Sequence, residues 1–224
     1  MVPDRGVFIV ADGMGGHAAG EVASEMAVRI IARELGDISS STDREASELI
    51  RNSIIEANSA IFQRTLSEQD KRGMGTTATA MVILGGNYLI GQVGDSRAYV
   101  LREGALLQLT KDHSYVQEQV DAGYLSPEEA RTHPYSNVIT RCVGANVDVT
   151  PDVYSGALQV GDVYLLASDG LTGMIEDDDL GEMMTKTSAP QQLADDLVDE
   201  ANRRGGLDNV TVIVIRVDGS VDGV

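Results

Sequence analysis

Two periodicities alternate along this chain, and their order outlines a fold. Residues 7–10 form an unbroken Val-Phe-Ile-Val run, with the length and branched character of a buried strand, which is expected to span 7–11. A glycine-rich turn follows. Apolar residues then recur near helical spacing at Val22, Met26, Ile30 and Leu35, predicting a helix over 21–35. After a polar linker at 39–42, Asp43 is expected to cap a longer helix over 44–67, whose apolar face carries Leu49, Ile50, Ile54, Ala57, Ile61 and Phe62.

From residue 76 the period shortens to that of strands. Segments 77–84, 88–93, 98–102 and 106–109 are separated by Gly85-Gly86-Asn87, Gly94-Asp95-Ser96 and Glu103-Gly104, which read as turns of an antiparallel meander. Residues 112–141 are irregular, with short helical pieces, a helix start at Ser126-Pro127-Glu128-Glu129 and a break at His133-Pro134. An insertion of that length between strands often forms a lid or binding loop. Strands are predicted again at 147–154, 162–167 and 210–217, and helices from about 177 and over 190–203. Clustered strands and paired helices predict a layered α+β fold with antiparallel sheets, in one domain spanning 1–224.

The candidate chemistry sits where the strand-like runs end. Asp12 follows 7–11, Asp95 follows 89–93, Asp169 follows 163–167, and Asp208 precedes 210–217; glycine, serine or asparagine flanks each. Alone, each station reads as a turn, because Asp and Gly are common there. Four carboxylates at strand ends, brought together, make a site for Mg²⁺ or Mn²⁺, hard ions that favour oxygen ligands and retain water. Two such ions can activate a bridging water and clamp a phosphoryl group, so the composite predicts a metal-dependent phosphatase.

Composition narrows the alternatives. Thirty-five acidic against 17 basic residues give a formal charge of -18, which repels nucleic-acid backbones and anionic membranes. The single cysteine, Cys142, excludes an internal disulfide and a cysteine-based zinc site, and reads as a packed thiol. No run is apolar enough to span a bilayer and no signal peptide is evident, so a cytoplasmic location is expected. With no Trp and two Phe, the core is expected to consist of aliphatic residues, with methionines such as Met26, Met81 and Met184 as filler.

Taken together, Val10-Ala11-Asp12-Gly13-Met14-Gly15-Gly16-His17-Ala18-Ala19-Gly20-Glu21, Gly75-Thr76-Thr77-Ala78, Gly94-Asp95-Ser96-Arg97, Leu109-Thr110-Lys111-Asp112-His113 and Asp208-Asn209-Val210-Thr211 resemble the metal-dependent protein phosphatases. These are the type 2C serine/threonine family, and the bacterial branch is the nearer match. The likeness runs over nearly the whole chain in the family's order. It implies two packed antiparallel sheets flanked by helical layers, an α-β-β-α sandwich with metals in a cleft at one edge. Asp12 would bridge two ions, the Gly13 carbonyl would complete the second site, and Asp169 and Asp208 would hold the first. Asp95 with Asp169 would match a third, weaker site, and 112–141 would be the flap beside the cleft. The implied reaction is hydrolysis of phosphoserine and phosphothreonine by a metal-bridged water, in a monomer that opposes a bacterial-type Ser/Thr kinase.

Two departures qualify the resemblance. The family carries an N-terminal arm with a phosphate-gripping arginine and a water-linked acidic residue, and Met1 to Arg5 lie too close to Asp12 to contain it. A fragment, with its first strand absent and a sheet edge unpaired, or a catalytically weak partner-binding module are the readings this opens. Met14 stands where eukaryotic relatives have a histidine proposed as general acid, a role a thioether cannot fill; His17 is a nearby alternative. Elsewhere Arg97 is a candidate partner for Asp95, His113 and His133 in the flap read as surface residues, with contact to substrate as the alternative, Thr76 and Thr77 as strand-packing groups, Asn209 as a brace, and 176–179 as a solvated helix start.

Overall fold

The computed structural model describes residues 6–15, 17–38, 41–187 and 189–219, apart from the side chains of 17 and 18. Strands β1 (Val7–Val10), β4 (Ala78–Leu84), β5 (Asn87–Val93) and β8 (Asp152–Ala157) form one antiparallel sheet in the order β1-β4-β5-β8. Strands β10 (Val212–Arg216), β9 (Val163–Ala167), β6 (Arg97–Arg102) and β7 (Ala105–Gln108) form a second, in that order. A two-stranded ladder joins β2 (Gly13–Met14) to β3 (Gly75–Thr76).

Alternation along each strand separates three cores. In β4, Ala78, Ala80 and Val82 face the helices α1 (His17–Glu34) and α2 (Asp43–Ser67), whereas Met81 faces the opposing sheet. In β9, Val163, Leu165 and Ala167 turn toward α5 (Asp169–Thr172), α6 (Asp177–Lys186) and α7 (Pro190–Arg203); Tyr164 and Leu166 turn inward. A period of two places successive residues on opposite faces, and each fully buried aliphatic side chain contributes roughly 1.5–3 kcal/mol, so the register is strongly set. The result is the expected α-β-β-α layering, with Met81 and Met184 buried as filler.

Several local expectations are corrected. The cap of α2 is Thr42, whose hydroxyl accepts from Glu45 N–H while Glu45 returns a bond to the Thr42 backbone; Asp43 instead accepts from Asn87. The strand expected at 147–154 begins only at Asp152, with Val147 exposed in a loop. The meander is also split. After β5 the chain leaves the first sheet, and β6 pairs with β7 and β9 in the second, so Gly94–Ser96 is a crossover between sheets. The flap holds α3 (Tyr115–Asp121) and α4 (Pro127–Arg131), the latter capped by Ser126 with Glu129 as anticipated.

Candidate metal centre

The site is assembled by close backbone contacts at the strand ends. A Cβ on Gly13 would overlap the Gly20 backbone, and one on Gly20 would lie 2.6 Å from the Gly13 carbonyl oxygen. The Asp12-Gly13 turn therefore lies directly on α1, an approach that two glycines permit. On the other side, a Cβ on Gly170 would overlap the Asn209 carbonyl. Ser168 Oγ donates to that same carbonyl at 3.3 Å and accepts from Thr211 N–H at 3.0 Å. These contacts hold the start of α5, with Asp169, against the segment carrying Asp208. Asn209 thus braces through its backbone, as expected of a loop support.

A buried polar chain links Asp12 to Asp95. Asp12 N–H donates to Thr77 Oγ1 at 2.9 Å, and the Asp12 carbonyl accepts from Thr77 N–H at 2.8 Å and Thr76 Oγ1 at 2.9 Å. Thr77 Oγ1 lies 2.8 Å from Ser96 Oγ, and Gln92 Nε2 donates to the carbonyls of Gly94 and Ser96 at 3.0 and 2.7 Å. Thr76 and Thr77 accordingly fix the loops that carry Asp12 and Asp95 as well as packing the strand. Gly94 adopts φ 102°, and any side chain there would collide with Thr77.

The carboxylates feel one another. Burial, a hydrogen bond with Asp169, and the charges of Asp169, Asp208 and Asp95 push Asp12 up to about 7. Burial and then the charges of Asp169 and Asp112 push Asp95 up to about 7, with its own backbone N–H and Arg97 opposing. Carboxylates this close compete for a proton or a cation. Asp169 Oδ1 is buried and has no hydrogen-bond partner among the described residues. A buried unpaired carboxylate oxygen is costly, and a divalent cation would satisfy it. Among the described residues, no group of three or more His, Cys, Asp or Glu side chains stands arranged to hold a metal ion, so Asp12, Asp169 and Asp208 are neighbours in charge without forming a three-ligand cluster. Asp208 and Gly13 are exposed, while Asp12, Asp95 and Asp169 are half-buried, so the site opens to solvent at one rim.

Arg97 is not the partner of Asp95. Its guanidinium grips Asp112, with Nε 3.0 Å from each oxygen and Nη2 2.8 Å from Oδ2, while Nη1 donates to Tyr99. Arg97 therefore acts on Asp95 only as a nearby charge, which the charge of Asp169 opposes. His113 is also not a surface residue: it is buried at 6% exposure, and burial lowers its pKa. His133 instead packs with Tyr115 and Tyr135 on the flap. No local signal reveals the roles of Gln92 or His113, whose partners come from neighbouring loops. Met14 is half-buried beside Gly75. The His17 side chain, Arg5 and the start of the chain lie outside the described residues. Cys142 is half-buried, and burial raises its thiol pKa, consistent with a packed residue. At 176–179, Arg131 lies 4.0 Å from Glu176, Tyr99 donates to Asp177 and Arg204 pairs with Asp179, so three of those acids have partners. No described helix is long and apolar enough to cross a membrane.

The profile described as protein phosphatase 2C matches residues 2–201. A serine/threonine phosphatase (Stp) of Listeria monocytogenes is 40% identical over 213 residues, covering 95% of this chain and 84% of the relative. The protein phosphatase PhpP of Streptococcus pneumoniae is 39% identical over 214 residues, covering 96% and 87% respectively. The crystal structure of the Mycobacterium tuberculosis serine/threonine phosphatase PstP superposes with a TM-score of 0.89 at 38% identity, covering 95% of this chain and 88% of that one. The catalytic domain of a serine/threonine protein phosphatase PstP in complex with two manganese ions gives 0.85 at 38% identity, covering 95% of this chain and 88% of that one.

Proposed function

Because this chain belongs to the protein phosphatase 2C family, we propose that Asp12, Asp169 and Asp208 form its catalytic metal centre. The protein is a metal-dependent serine/threonine phosphatase, a hydrolase of phosphoproteins. In this reading Asp12 and the Gly13 carbonyl would help hold a pair of ions, Asp169 and Asp208 would hold the first of them, and Asp95 with Asp169 would hold a third. The observation that carries the assignment is the partnerless buried Oδ1 of Asp169 beside an Asp12 pushed up to about 7.

When bound, the ions supply an activated water and neutralise phosphoryl charge. The chain's own residues do the positioning. Thr76 and Thr77 clamp the Asp12 backbone, the Gly170–Asn209 contact sets Asp169 against Asp208, and α1 backs the Gly13 turn. Met14 offers no proton, so protonation of the leaving alcohol falls to water or another group. Magnesium or manganese, phosphoproteins acted on by a Ser/Thr kinase, a monomeric state and a cytoplasmic location complete the proposal. The alternative of a silent partner-binding module gains nothing from relatives named as phosphatases.

The test is hydrolysis of a phosphothreonine peptide and p-nitrophenyl phosphate with Mn²⁺ or Mg²⁺, paired with calorimetric metal titration. Expected are at least two Mn²⁺ sites and turnover that EDTA abolishes. Metal binding without turnover would favour the silent module; turnover insensitive to EDTA would remove the metal centre.

A further inference from the structure

The crossover that carries Asp95 is held by a side chain from the base of the flap. Gly94 and His113 exchange two hydrogen bonds: His113 N–H donates to the Gly94 carbonyl at 2.9 Å, and Gly94 N–H donates to His113 Nδ1 at 3.1 Å. An Nδ1 that accepts leaves the proton of the neutral ring on Nε2. Nε2 faces Asp152 Oδ2 at 3.0 Å, where strand β8 begins. Asp152 Oδ1 takes Arg141 Nη1 at 3.1 Å; that nitrogen also bonds the Thr150 carbonyl at 2.9 Å and lies 3.0 Å from Nε2. The His113 carbonyl accepts from Thr140 N–H at 2.8 Å, and Ser114 bridges to Ile139. One buried ring therefore ties the crossover to both ends of the flap and to the first sheet.

We propose that His113 is a positioning residue for Asp95, holding the Gly94–Ser96 crossover so that its carboxylate faces Asp169, and linking that placement to the flap through Asp152 and Arg141. The logic is that of a ligand's outer-shell support, where losing the partner costs about 10–100-fold in metal affinity. The inference rests on the assignment of Asp95 to a third, weaker cation under the proposed function.

The two ring nitrogens can be tested apart. His113→Asn keeps an acceptor near Nδ1 for the Gly94 amide; His113→Gln keeps a donor toward Asp152 and loses that acceptor. Mn²⁺ binding would be measured by calorimetry on wild type, both variants, Asp152→Ala and Asp95→Asn, alongside thermal melts and the split of kcat from KM for p-nitrophenyl phosphate. Expected is a weaker wild-type site that Asp95→Asn removes, His113→Asn retains, and His113→Gln weakens about tenfold or more. Asp152→Ala, at a half-exposed residue, should weaken the same site by a smaller factor. The tight sites stay unchanged in all three brace variants, and the loss does not follow melting temperature. Equal effects of the two His113 variants, or none, would overturn the role of His113 while leaving the metal centre intact. A wild type with no weaker site, or one that survives Asp95→Asn, would overturn the Asp95 assignment and this inference with it.

Discussion

The strand-end loops and the flap are built on opposite plans. At the loops, Gly13 lies on Gly20 and Gly170 on Asn209, backbone on backbone with no space for an extra carbon, and the Asp12 backbone is bonded to both the amide and the hydroxyl of Thr77. The flap is self-sufficient and wet. Two short helices carry their own serine caps, Tyr124 and Tyr135 are exposed, and only Val116 of α3 and Ala130 of α4 are buried in those helices. Its firm anchorage lies at its base, through Asp112 on Arg97 and His113 on Gly94. Where charge must be placed to fractions of an ångström the chain is locked by packing; the neighbouring surface is free to differ.

The contrast can be broken most severely at the carboxylates. Asp12→Asn and Asp169→Asn should each lower kcat/KM by about a thousandfold or more, since the ions they are proposed to hold would supply several kcal/mol of charge stabilisation. Circular dichroism should still show a folded domain; turnover retained in both variants would refute the assignment. Next comes Gly170→Ala, whose added methyl meets the Asn209 carbonyl. Overpacking of this kind typically costs about 1–3 kcal/mol, and shifting a ligand by an ångström costs about a hundredfold in rate. A variant with unchanged melting and kinetics would mean that the contact is slack.

A milder probe is pH with the metal removed. Asp12 and Asp95 are both pushed up to about 7, from an ordinary 3.8. The folded state thus binds protons more tightly there, and that stability, complete below 3.8, is lost as pH rises through about 7. His113, shifted down, acts in the opposite sense near 6.5 and offsets part of the slope. EDTA-treated protein should therefore melt at a lower temperature at pH 7.5 than at pH 5.5, and saturating Mn²⁺ should flatten the difference. A flat profile without metal would show that the carboxylates do not share a field. The smallest effect belongs to the flap: Ser126→Ala removes the cap of α4, worth about 1 kcal/mol locally. Faster hydrogen exchange over 126–132 is expected, with p-nitrophenyl phosphate hydrolysis unchanged; a global loss of stability would show that the flap is integral to the core.

Much of this was legible because it is encoded locally. The alternation in 78–84 and 163–167 fixes which residues face which layer, and the four aspartates are marked by their small neighbours. The misreadings share one cause. Gly94-Asp95-Ser96 has the composition of a hairpin turn, yet whether two strands pair or part after such a turn depends on partners elsewhere. Here those partners are Asp152 to Ala157 for β5 and Val163 to Ala167 for β6. The nearest acid to Arg97 in sequence is Asp95, whereas Asp112 is brought beside it by the β6–β7 hairpin. His113 stands in a polar stretch and looks exposed until the crossover closes over it. Burial of a polar side chain is set by tertiary neighbours, and one sequence does not display them.

The interleaving of the two sheets has a kinetic consequence. Beyond the hairpins β4–β5 and β6–β7, every ladder in the sandwich joins distant stretches: Val7 to Val82, Ile90 to Tyr154, Tyr99 to Leu165. Such closures must be searched for before they are rewarded, so this chain should acquire its native form over milliseconds to seconds, slower than helical bundles of similar stability. The strand ends with the acidic groups come from four separated stretches, so they meet only after those closures are complete. During synthesis, the reactive edge is therefore expected to be the last feature to mature.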